Sequence, residues 1–524
     1  MHYDVPMRQV VRLLAVVALY AAGLAFAAPS APAADPPPAG QITYAVHFTL
    51  APRWLDPGDN EGTITPYLIF YAVHDALVKP MPAGPTTGSL AESWTVSPDG
   101  LVVEFLLRNG VRFHNGDPLT AEDVKFSFER YKGAFGDLLK DRVKEVRVVD
   151  ARRVQFRLKE PWPDFLTFYG TTATSAGWIV PKKYVEKVGE EGFKKAPIGA
   201  GPYRVVNVVP GIEITLEAYE GYWRKVPRVK RLVLRSLPDE TTRGAALTRG
   251  DVDIAYFLNG PIAEEVRRTP GLKLMAVRSN AIFFLDFRDQ WEAGSPWRDP
   301  RVRRAASLAV DRPTLNAAEQ LGYAGLTGNI VPRAMEFALP IDPDPYDPAR
   351  ARRLLAEAGH PDGLTLPVIV NDKAPLRREL EMITGQLGRA GIRVEIQGLD
   401  WGTFNARFFG ADVTRKTFRG ALRDIAIVSP DPDSALYWFH RKGTVGWLGQ
   451  ESDAVDRMLD EARAEPSSNR RDHLYRQLLD TLIPEATYIY TVHANYVSAT
   501  RTTVKGWVQL PATLVRYTTV WMDA

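Results

Sequence analysis

Cysteine is absent from this chain of 524 residues. A disulfide framework, a thiol nucleophile and a thiolate metal site are therefore excluded. A strong charge of one sign is also lacking, because the formal net charge is only +3. A chain so nearly neutral has no electrostatic support for binding nucleic acid, and no dense Lys/Arg run alternates with aromatic residues. An apolar fraction of 45% and a charged fraction of 24% are ordinary for a soluble globular protein.

Short catalytic and metal-binding motifs are missing as well. The sequence contains no Gly-x-Ser-x-Gly elbow and no His-Glu-x-x-His pair, and its eight histidines are dispersed. The acidic pair Asp431 and Asp433 has no partner acid, base or metal ligand nearby in sequence. These absences predict a protein that is not an enzyme and that needs no cofactor and no metal. Residues distant in sequence could still assemble a catalytic site.

One long apolar run lies near the amino terminus, and no later run is comparable. Two arginines precede the run 13–28, which is followed by small residues, as in an export signal. Its apolar core is shorter than the ~20 residues that span a bilayer, which disfavours a membrane anchor. We expect residues 1–34 to be a signal peptide and 35–40 a flexible linker. Without a cysteine after this leader, the mature protein should be free in the periplasm and not a lipoprotein.

The stretch 90–131 carries the most specific local pattern in the chain. Two β-prone runs, 93–96 and 101–107, flank a Ser-Pro-Asp-Gly turn, so a hairpin is predicted. Thr120 can then cap a helix whose apolar residues recur at i, i+4 and i+7. The stretch therefore predicts a hairpin, a turn and an amphipathic helix.

Strand and helix patterns alternate after this stretch. Residues 203–209 and 229–237 predict strands, and 239–248 predicts a helix that ends at Gly250. Helices that begin with Asp-Pro pairs follow, and a return strand is predicted at 486–497. This order is typical of an open α/β sheet.

Several motifs occur in a fixed order along the chain. They are Leu-Ala-Glu-Ser-Trp (90–94), Ser-Pro-Asp-Gly (97–100), Leu-Arg-Asn-Gly-Val-Arg-Phe-His-Asn-Gly (107–116), Leu-Thr-Ala-Glu-Asp-Val (119–124) and Pro-Ile-Gly-Ala-Gly-Pro-Tyr-Arg (197–204). This order resembles family 5 solute-binding proteins, the dipeptide, oligopeptide and nickel-binding extracytoplasmic components of ABC transporters. His114 lies inside the pattern, where a structural hydrogen bond is favoured over a metal bond.

The resemblance implies an α/β fold of two lobes, the periplasmic-binding-protein-like fold of type II, with an extra subdomain in lobe one and a hinge of two crossings. We expect lobe one at 41–283, with the accessory subdomain at about 79–197. Lobe two is expected at 284–486, and residues 487–524 should return to lobe one. The solute would bind in the cleft between the lobes.

The function that the resemblance implies is that of a periplasmic receptor of an ABC importer. Such a receptor captures a peptide-like or small organic solute and delivers it to permease subunits in the inner membrane, with the ATPase subunits engaged indirectly. We expect a monomer and no nucleic-acid partner. The alternatives are a non-peptide solute (carboxylate, opine-like, aromatic or oligosaccharide), or else an enzyme or a periplasmic chaperone.

Departures from the family pattern bear on the solute. In peptide-binding relatives an aspartate three residues before an Asp-Pro pair holds the peptide's α-ammonium. Here Asp431-Pro432 supplies the pair, and the matching residue is Val428. Arg288 stands where the family has an asparagine. Both departures favour a solute that has an anionic group and an apolar or planar part, and they disfavour a peptide with a free amino terminus.

Trp401 stands where oligopeptide binders place a pocket tryptophan, and it could hold a planar body. Ordinary packing in the core remains open for Trp401 and for Tyr437. Arg288 could instead pair with Asp286 or Asp289. The predicted ligand-binding residues are Trp401, Arg288, Val428, Asp431, Phe284 and Tyr437.

Overall fold

The computed structural model describes residues 36–60, 66–171, 174–331, 337–339, 341–372, 376–400, 403–404, 407–408, 418–427, 432–442, 452–510 and 515–522. The helices and strands within these ranges belong to one compact unit, Pro38–Ala524. Its strands are β1 (Ala39–Val46), β2 (Val78–Met81), β3 (Gly84–Gly88), β4 (Ala91–Val96), β5 (Val102–Leu107), β6 (Val143–Asp150), β7 (Arg153–Leu158), β8 (Tyr203–Val209), β9 (Glu213–Ala218), β10 (Val229–Ser236), β11 (Ile254–Ala255), β12 (Leu272–Phe287), β13 (Gly325–Leu326), β14 (Leu364–Asn371), β15 (Ile392–Leu399), β16 (Ala421–Ile427), β17 (Tyr488–Arg501), β18 (Val504–Lys505) and β19 (Trp521–Met522). Its α-helices are α1 (Tyr67–Val73), α2 (Ala121–Arg130), α3 (Gly136–Arg142), α4 (Phe165–Gly170), α5 (Lys182–Lys195), α6 (Glu240–Arg249), α7 (Gly260–Arg268), α8 (Pro300–Leu308), α9 (Arg312–Gln320), α10 (Pro348–Glu357), α11 (Leu376–Arg389), α12 (Asp433–His440), α13 (Asp453–Ala464) and α14 (Ser468–Leu482).

One mixed sheet runs through this unit. Its strand order is β15-β14-β16-β12-β17-β11-β1-β10-β9-β8, and β13 pairs with β17. Within it β1 is parallel to β10 and β11, and β14 is parallel to β15 and β16. We name β1 and β8–β11 the first half-sheet, and β14–β16 the second half-sheet. The α/β class that the sequence predicts is confirmed.

The long strands β12 and β17 join the two half-sheets. Residues 272–278 of β12 pair with 495–501 of β17, and residues 282–286 pair with 488–493, with a break in register between Arg278 and Ile282. The later part of β12 also pairs with β16, and the end of β17 pairs with β11. Each long strand therefore has one part in each half. The two crossings expected between the halves are present, while the exact lobe boundaries stay predictions.

The positions of apolar residues along the strands and helices explain where the core lies. In β9, Ile214 and Leu216 are buried while the residues between them are half-buried, because alternate side chains of a strand point to opposite faces. In α11, Leu380, Ile383 and Leu387 form a buried stripe against the second half-sheet. Helices pack on the sheet with such stripes, and most residues of β14 are buried, whereas β15 has exposed residues along its length.

A separate antiparallel sheet, β4-β5-β7-β6, has its own core. The predicted hairpin is β4 and β5, with Gly100 at φ +69° in the turn. Helix α2 begins as predicted after Thr120, whose amide and hydroxyl both donate to the Asp123 carboxylate at 2.9 Å. We name β4–β7 with α2–α4 the subdomain.

His114 joins the two strongest sequence motifs. Its Nδ1 accepts the Gly199 amide at 3.3 Å, and its Nε2 donates to the Gly201 carbonyl at 3.0 Å. Burial lowers the pKa of His114 to about 4, so the ring is neutral, as this pair of bonds requires. A Cβ on Gly199 would lie 2.0 Å from the Val73 carbonyl oxygen, so only glycine permits this approach. The structural hydrogen bond predicted for His114 is confirmed.

Candidate functional site

The parallel strands of the first half-sheet end near the middle of β17. β11 ends at Ala255, which lies beside Ala499. Three residues later, Leu258 donates its amide to the Val497 carbonyl at 2.9 Å. Since β17 runs from the second half-sheet to the first, its lower residue numbers lie closer to the second. The carboxyl end of β11 therefore points toward the second half-sheet.

The parallel strands of the second half-sheet point the opposite way. β16 ends at Ile427 beside Ala281 of β12, and β14 and β15 end at Asn371 and Leu399. Lower residue numbers in β12 lie closer to the first half-sheet. The two sets of strand ends therefore face each other across residues 278–281, where the register of β12 breaks. Ligands of open α/β sheets bind beyond the carboxyl ends of strands. We name this region the cleft.

Aromatic rings form the cleft wall of the first half-sheet. His47 follows β1 and Phe257 follows β11, and their ring centroids lie 5.1 Å apart. Phe257 also packs on Tyr496 of β17 at 5.6 Å. Both His47 and Phe257 are half-buried. Such a wall suits the apolar or planar part of a solute.

Phe257 is held in a strained backbone conformation. Its φ is +57°, in the left-handed region that side chains other than glycine rarely adopt. The cost of such a residue is of order 1–3 kcal/mol and persists only where the surroundings enforce it, often at ligand clamps. The conformation keeps the Phe257 ring against His47 at the end of β11.

Asn259 carries an unpaired side-chain amide two residues further on. Within the described part of the chain, neither its Oδ1 nor its Nδ2 has a hydrogen-bond partner, although the residue is only 2% exposed. It precedes α7, yet its side chain does not cap that helix. Its backbone amide donates to the Glu240 carboxylate. Because an unpaired buried polar group costs ~1–3 kcal/mol, this amide is suited to meet a polar group of a solute.

The second half-sheet contributes polar residues at its edge. Val370 of β14 lies beside Arg423 of β16, so Asn371 lies level with Asp424. Both residues are buried. Burial, and secondarily the charge of Asp286, raises the pKa of Asp424 to about 7, and the Ile425 amide donates to its carboxyl group at 2.8 Å. This edge therefore holds a carboxyl group that titrates near neutral pH.

An ion pair spans the cleft. Glu240 begins α6 after β10, and Arg378 lies in the first turn of α11 after β14. Arg378 Nη1 lies 3.4 Å from Glu240 Oε2, and its Nη2 lies 2.8 Å from Glu319. Because Arg378 is partly exposed, solvent screens these pairs, and each contributes at most about 1 kcal/mol. The contact shows that the two edges lie close together in this conformation.

Arg288 lies away from the cleft. Its guanidinium pairs with Asp286 at 2.8 Å, and both side chains are buried. Its backbone amide donates to the Gly420 carbonyl, just before β16 begins. Since β16 has seven residues at ~3.3 Å each, the backbone of Arg288 lies roughly 20 Å from the carboxyl end of that strand, although the charge of its guanidinium still acts to lower the pKa of Asp424. The structure thus shows the pairing with Asp286 that the sequence left open.

Phe284 and Tyr437 pack within the second half. Phe284 is buried, with its ring edge-on to Phe439 at 5.8 Å. Tyr437 is half-buried, and the Arg463 guanidinium lies 3.1 Å from its ring centroid. The remaining predicted ligand-binding residues, Trp401, Val428 and Asp431, lie outside the described residues.

The cleft residues of the first half-sheet were missed from sequence. The short strand β11 (Ile254–Ala255) ends close to Phe257 and Asn259, so their position after a parallel strand was an available signal. Neither the left-handed Phe257 nor the unpaired Asn259 can be recognised without a structure.

In the described ranges, no group of three or more His, Asp or Glu side chains is placed to hold a metal ion. No helix within the same ranges combines the length and apolar character that a membrane crossing requires.

Comparison with known proteins decides the family. Residues 86–447 match the model of "Bacterial extracellular solute-binding proteins, family 5 Middle". The chain belongs to this family. It is 28% identical over 475 residues to the glutathione-binding protein GsiB of Salmonella choleraesuis, covering 88% of this chain and 90% of that protein.

Solved structures agree on the fold. The periplasmic binding protein DppA of Helicobacter pylori, in complex with the peptide STSA, superposes with a TM-score of 0.75 at 23% identity, covering 93% of this chain and 98% of that one. AgaA of A. tumefaciens R10, in complex with agropinic acid, gives 0.74 at 23% identity, covering 93% and 99%. The predicted two-lobed fold is confirmed. The family 5 chain is therefore a solute-binding protein of an ABC importer, as the sequence predicts.

Proposed function

We propose that this family 5 receptor binds its solute in the cleft, against His47, Phe257 and Asn259. The observation that carries the proposal is the unpaired, buried amide of Asn259 beside the strained Phe257. Oδ1 of Asn259 accepts and Nδ2 donates, so the side chain can pair with an amide group of a solute through both atoms, or donate from Nδ2 alone to a carboxylate. The neighbouring rings suit an apolar or planar body.

Two residues of the chain support the proposed class of solute. Val428 replaces the aspartate that would hold an α-ammonium, so a free amino terminus is not required. Arg288 is neutralised by Asp286 and supplies no anion site. We therefore propose an N-blocked or opine-like solute, in which an amide or carboxylate meets Asn259. The ligands named for the relatives, glutathione, the peptide STSA and agropinic acid, define a sensible panel.

A matched pair of probes tests this proposal. Gly-Phe and N-acetyl-Gly-Phe differ only in the charged amino terminus. At 100 times its dissociation constant, a solute stabilises the folded state by ~2.7 kcal/mol, which a thermal shift detects. We expect N-acetyl-Gly-Phe to protect at least as well as Gly-Phe. Protection by Gly-Phe that acetylation abolishes would contradict the proposal.

The proposal also covers the transport partner, the oligomeric state and the export of the protein. The chain acts as a receptor and not as a catalyst, and it hands its solute to an inner-membrane permease as a monomer. Residues 1–34 are removed on export, and the mature protein is free in the periplasm without a lipid anchor. Amino-terminal sequencing of the exported protein tests the cleavage, and light scattering tests the monomer.

A further inference from the structure

Asp164 and Arg471 form a buried, two-pronged ion pair between distant parts of the chain. Nη1 of Arg471 lies 2.9 Å from Oδ1 of Asp164, and Nη2 donates to Oδ2 at 3.0 Å. The side chain of Asp164 is 3% exposed and that of Arg471 is 8% exposed. A guanidinium that meets a carboxylate in this way is directional as well as strong, because two parallel bonds must form together.

The two partners belong to different halves of the molecule. Asp164 precedes α4, whose residues Phe165 and Phe168 lie in the core of the subdomain. That subdomain is tied by His114 to residues 199–201, which lead into β8 of the first half-sheet. The ion pair is therefore anchored at one end to the first half.

Arg471 lies on α14, which belongs to the second half of the molecule. Leu478 and Leu482 of that helix pack in one core with Ile282 and Phe284 of β12 beside the second half-sheet. The chain passes between the halves along β12 and β17, and neither Asp164 nor Arg471 lies on those strands. A rotation of the halves about the crossings would therefore separate the pair.

Two aromatic residues of the second half also hold the Arg471 side chain in place. Its Nη2 lies 3.2 Å from the Tyr475 hydroxyl, and the guanidinium lies 5.2 Å from the centroid of the Phe337 ring. These contacts orient the guanidinium toward Asp164, so the charge on the second half is preorganised. Asp164, by contrast, would be left without this cation if the halves opened. Loss of one partner leaves the other charge buried and uncompensated in the closed arrangement, which destabilises that arrangement.

We infer that Asp164 and Arg471 are a latch that favours the closed arrangement of the two halves, both in the solute-free protein and over a bound solute. The inference rests on the proposed function, because closure matters only if the cleft holds a solute. The pair acts as positioning residues, since neither lies at the cleft. The contact between Arg378 and Glu240 is longer and more exposed, so it contributes less to closure.

The latch has a kinetic consequence. If release requires opening, loss of the latch raises the dissociation rate and leaves the association rate nearly unchanged. A tenfold fall in the closed population raises the apparent dissociation constant tenfold. We expect Arg471→Gln to show at least this change for any solute that protects the wild-type chain.

The absence of cysteine allows the latch to be measured without a solute. Spin labels at Asp141→Cys in the subdomain and Arg393→Cys in β15 sit on exposed side chains of the two halves. Pulsed dipolar spectroscopy of the solute-free protein should show a longer distance component in Arg471→Gln. The doubly substituted chain, Asp164→Arg with Arg471→Asp, should return toward the wild-type distance because the attraction is restored.

A matched control lies on the same helix. Arg476 pairs with Asp472 at 2.7 Å on the exposed face of α14, so Arg476→Gln should leave the distances unchanged. If Arg471→Gln fails to fold, Asp164→Asn serves in its place. A folded variant whose distances equal those of the wild type would overturn the latch. Because no solute is present, that outcome would leave the proposed cleft intact, which the acetylated probe tests separately.

Discussion

The rings of His47 and Phe257 lie 5.1 Å apart at the ends of two neighbouring parallel strands. Residues 210 positions apart in sequence thus form one wall, and the backbone of Phe257 is strained to complete it. Asn259 follows with an unpaired amide, so apolar and polar contacts are offered within a few residues.

Two substitutions of Phe257 distinguish the cost of its backbone conformation from the contribution of its ring to solute binding. Phe257→Ala and Phe257→Gly both remove the ring, but only glycine accepts φ +57° without cost. We expect Phe257→Gly to be more stable than Phe257→Ala by about 1 kcal/mol in denaturant unfolding, and both to lose solute affinity. Equal stabilities would mean that the backbone relaxes in the alanine variant.

Asn259→Ala should weaken solute binding without a loss of stability. The amide has no partner in the described part of the chain, so its removal eliminates an unpaired buried group and should stabilise the solute-free fold or leave it unchanged. The matched control is Asn207→Ala on the exposed edge strand β8, which should change neither property. Calorimetric titration and thermal melting measure the two effects. A large loss of stability in Asn259→Ala would show that the amide is bonded within the fold.

Two buried histidines should make the fold sensitive to acid. Burial lowers the pKa of both His74 and His114 to about 4, whereas an exposed histidine titrates near 6.5. The unfolded state therefore binds more protons between these values, so stability is lost as pH falls from about 6.5 to 4. For His74 alone the loss is up to about 3 kcal/mol.

The acid sensitivity can be assigned by substitution. His74 bonds to the Leu55 carbonyl at 2.9 Å. His74→Gln retains a donor and should flatten the dependence of the unfolding free energy on pH within this window. An unchanged slope would show that other groups cause the acid loss.

Gly199 should not tolerate a side chain. A Cβ there would lie 2.0 Å from the Val73 carbonyl oxygen, so Gly199→Ala should lower the unfolding free energy by about 3 kcal/mol. Gly385 within α11 has nothing within 4 Å of its added Cβ, so Gly385→Ala should instead stabilise by about 0.5–1 kcal/mol. Denaturant unfolding of both variants checks the opposite signs. Equal effects would contradict the close approach at Gly199.

Arg288→Ala should destabilise the fold without changing which solutes bind. Its removal leaves the buried Asp286 carboxylate without its cation, a loss of about 3–5 kcal/mol. The variant should rank the same solute panel in the same order, because the Arg288 guanidinium is already paired with Asp286. A selective loss of anionic solutes would instead return Arg288 to the binding site.

Regular elements and the family were predictable from sequence, because they depend on local patterns. The hairpin β4–β5, the cap at Thr120 and the stripe of α11 follow from turn residues and periodicity. The motifs around His114 and Gly199 are long and ordered, so they identified the architecture. Their bonding to each other was not predicted beyond a structural role for His114.

The cleft was harder to predict because its residues come from separate strand ends. Arg288 is the clearest example: its charge suggested an anion site, but only the pairing of β12 with β16 shows which end of the strand it occupies. Asn259 looks like an ordinary helix cap in sequence, and only its missing partners distinguish it. Spatial position and unpaired polar atoms are tertiary properties that local patterns do not encode.

Hydrogen–deuterium exchange tests the location of the cleft most directly. It should be measured with and without a solute that raises the melting temperature. We predict slower exchange at residues 256–260 and 424–427 and at the crossing residues 278–281, which face each other across the cleft. Protection confined to the separate cavity lined by Arg312, Asn329 and Tyr490, with no change at 256–260, would contradict the account.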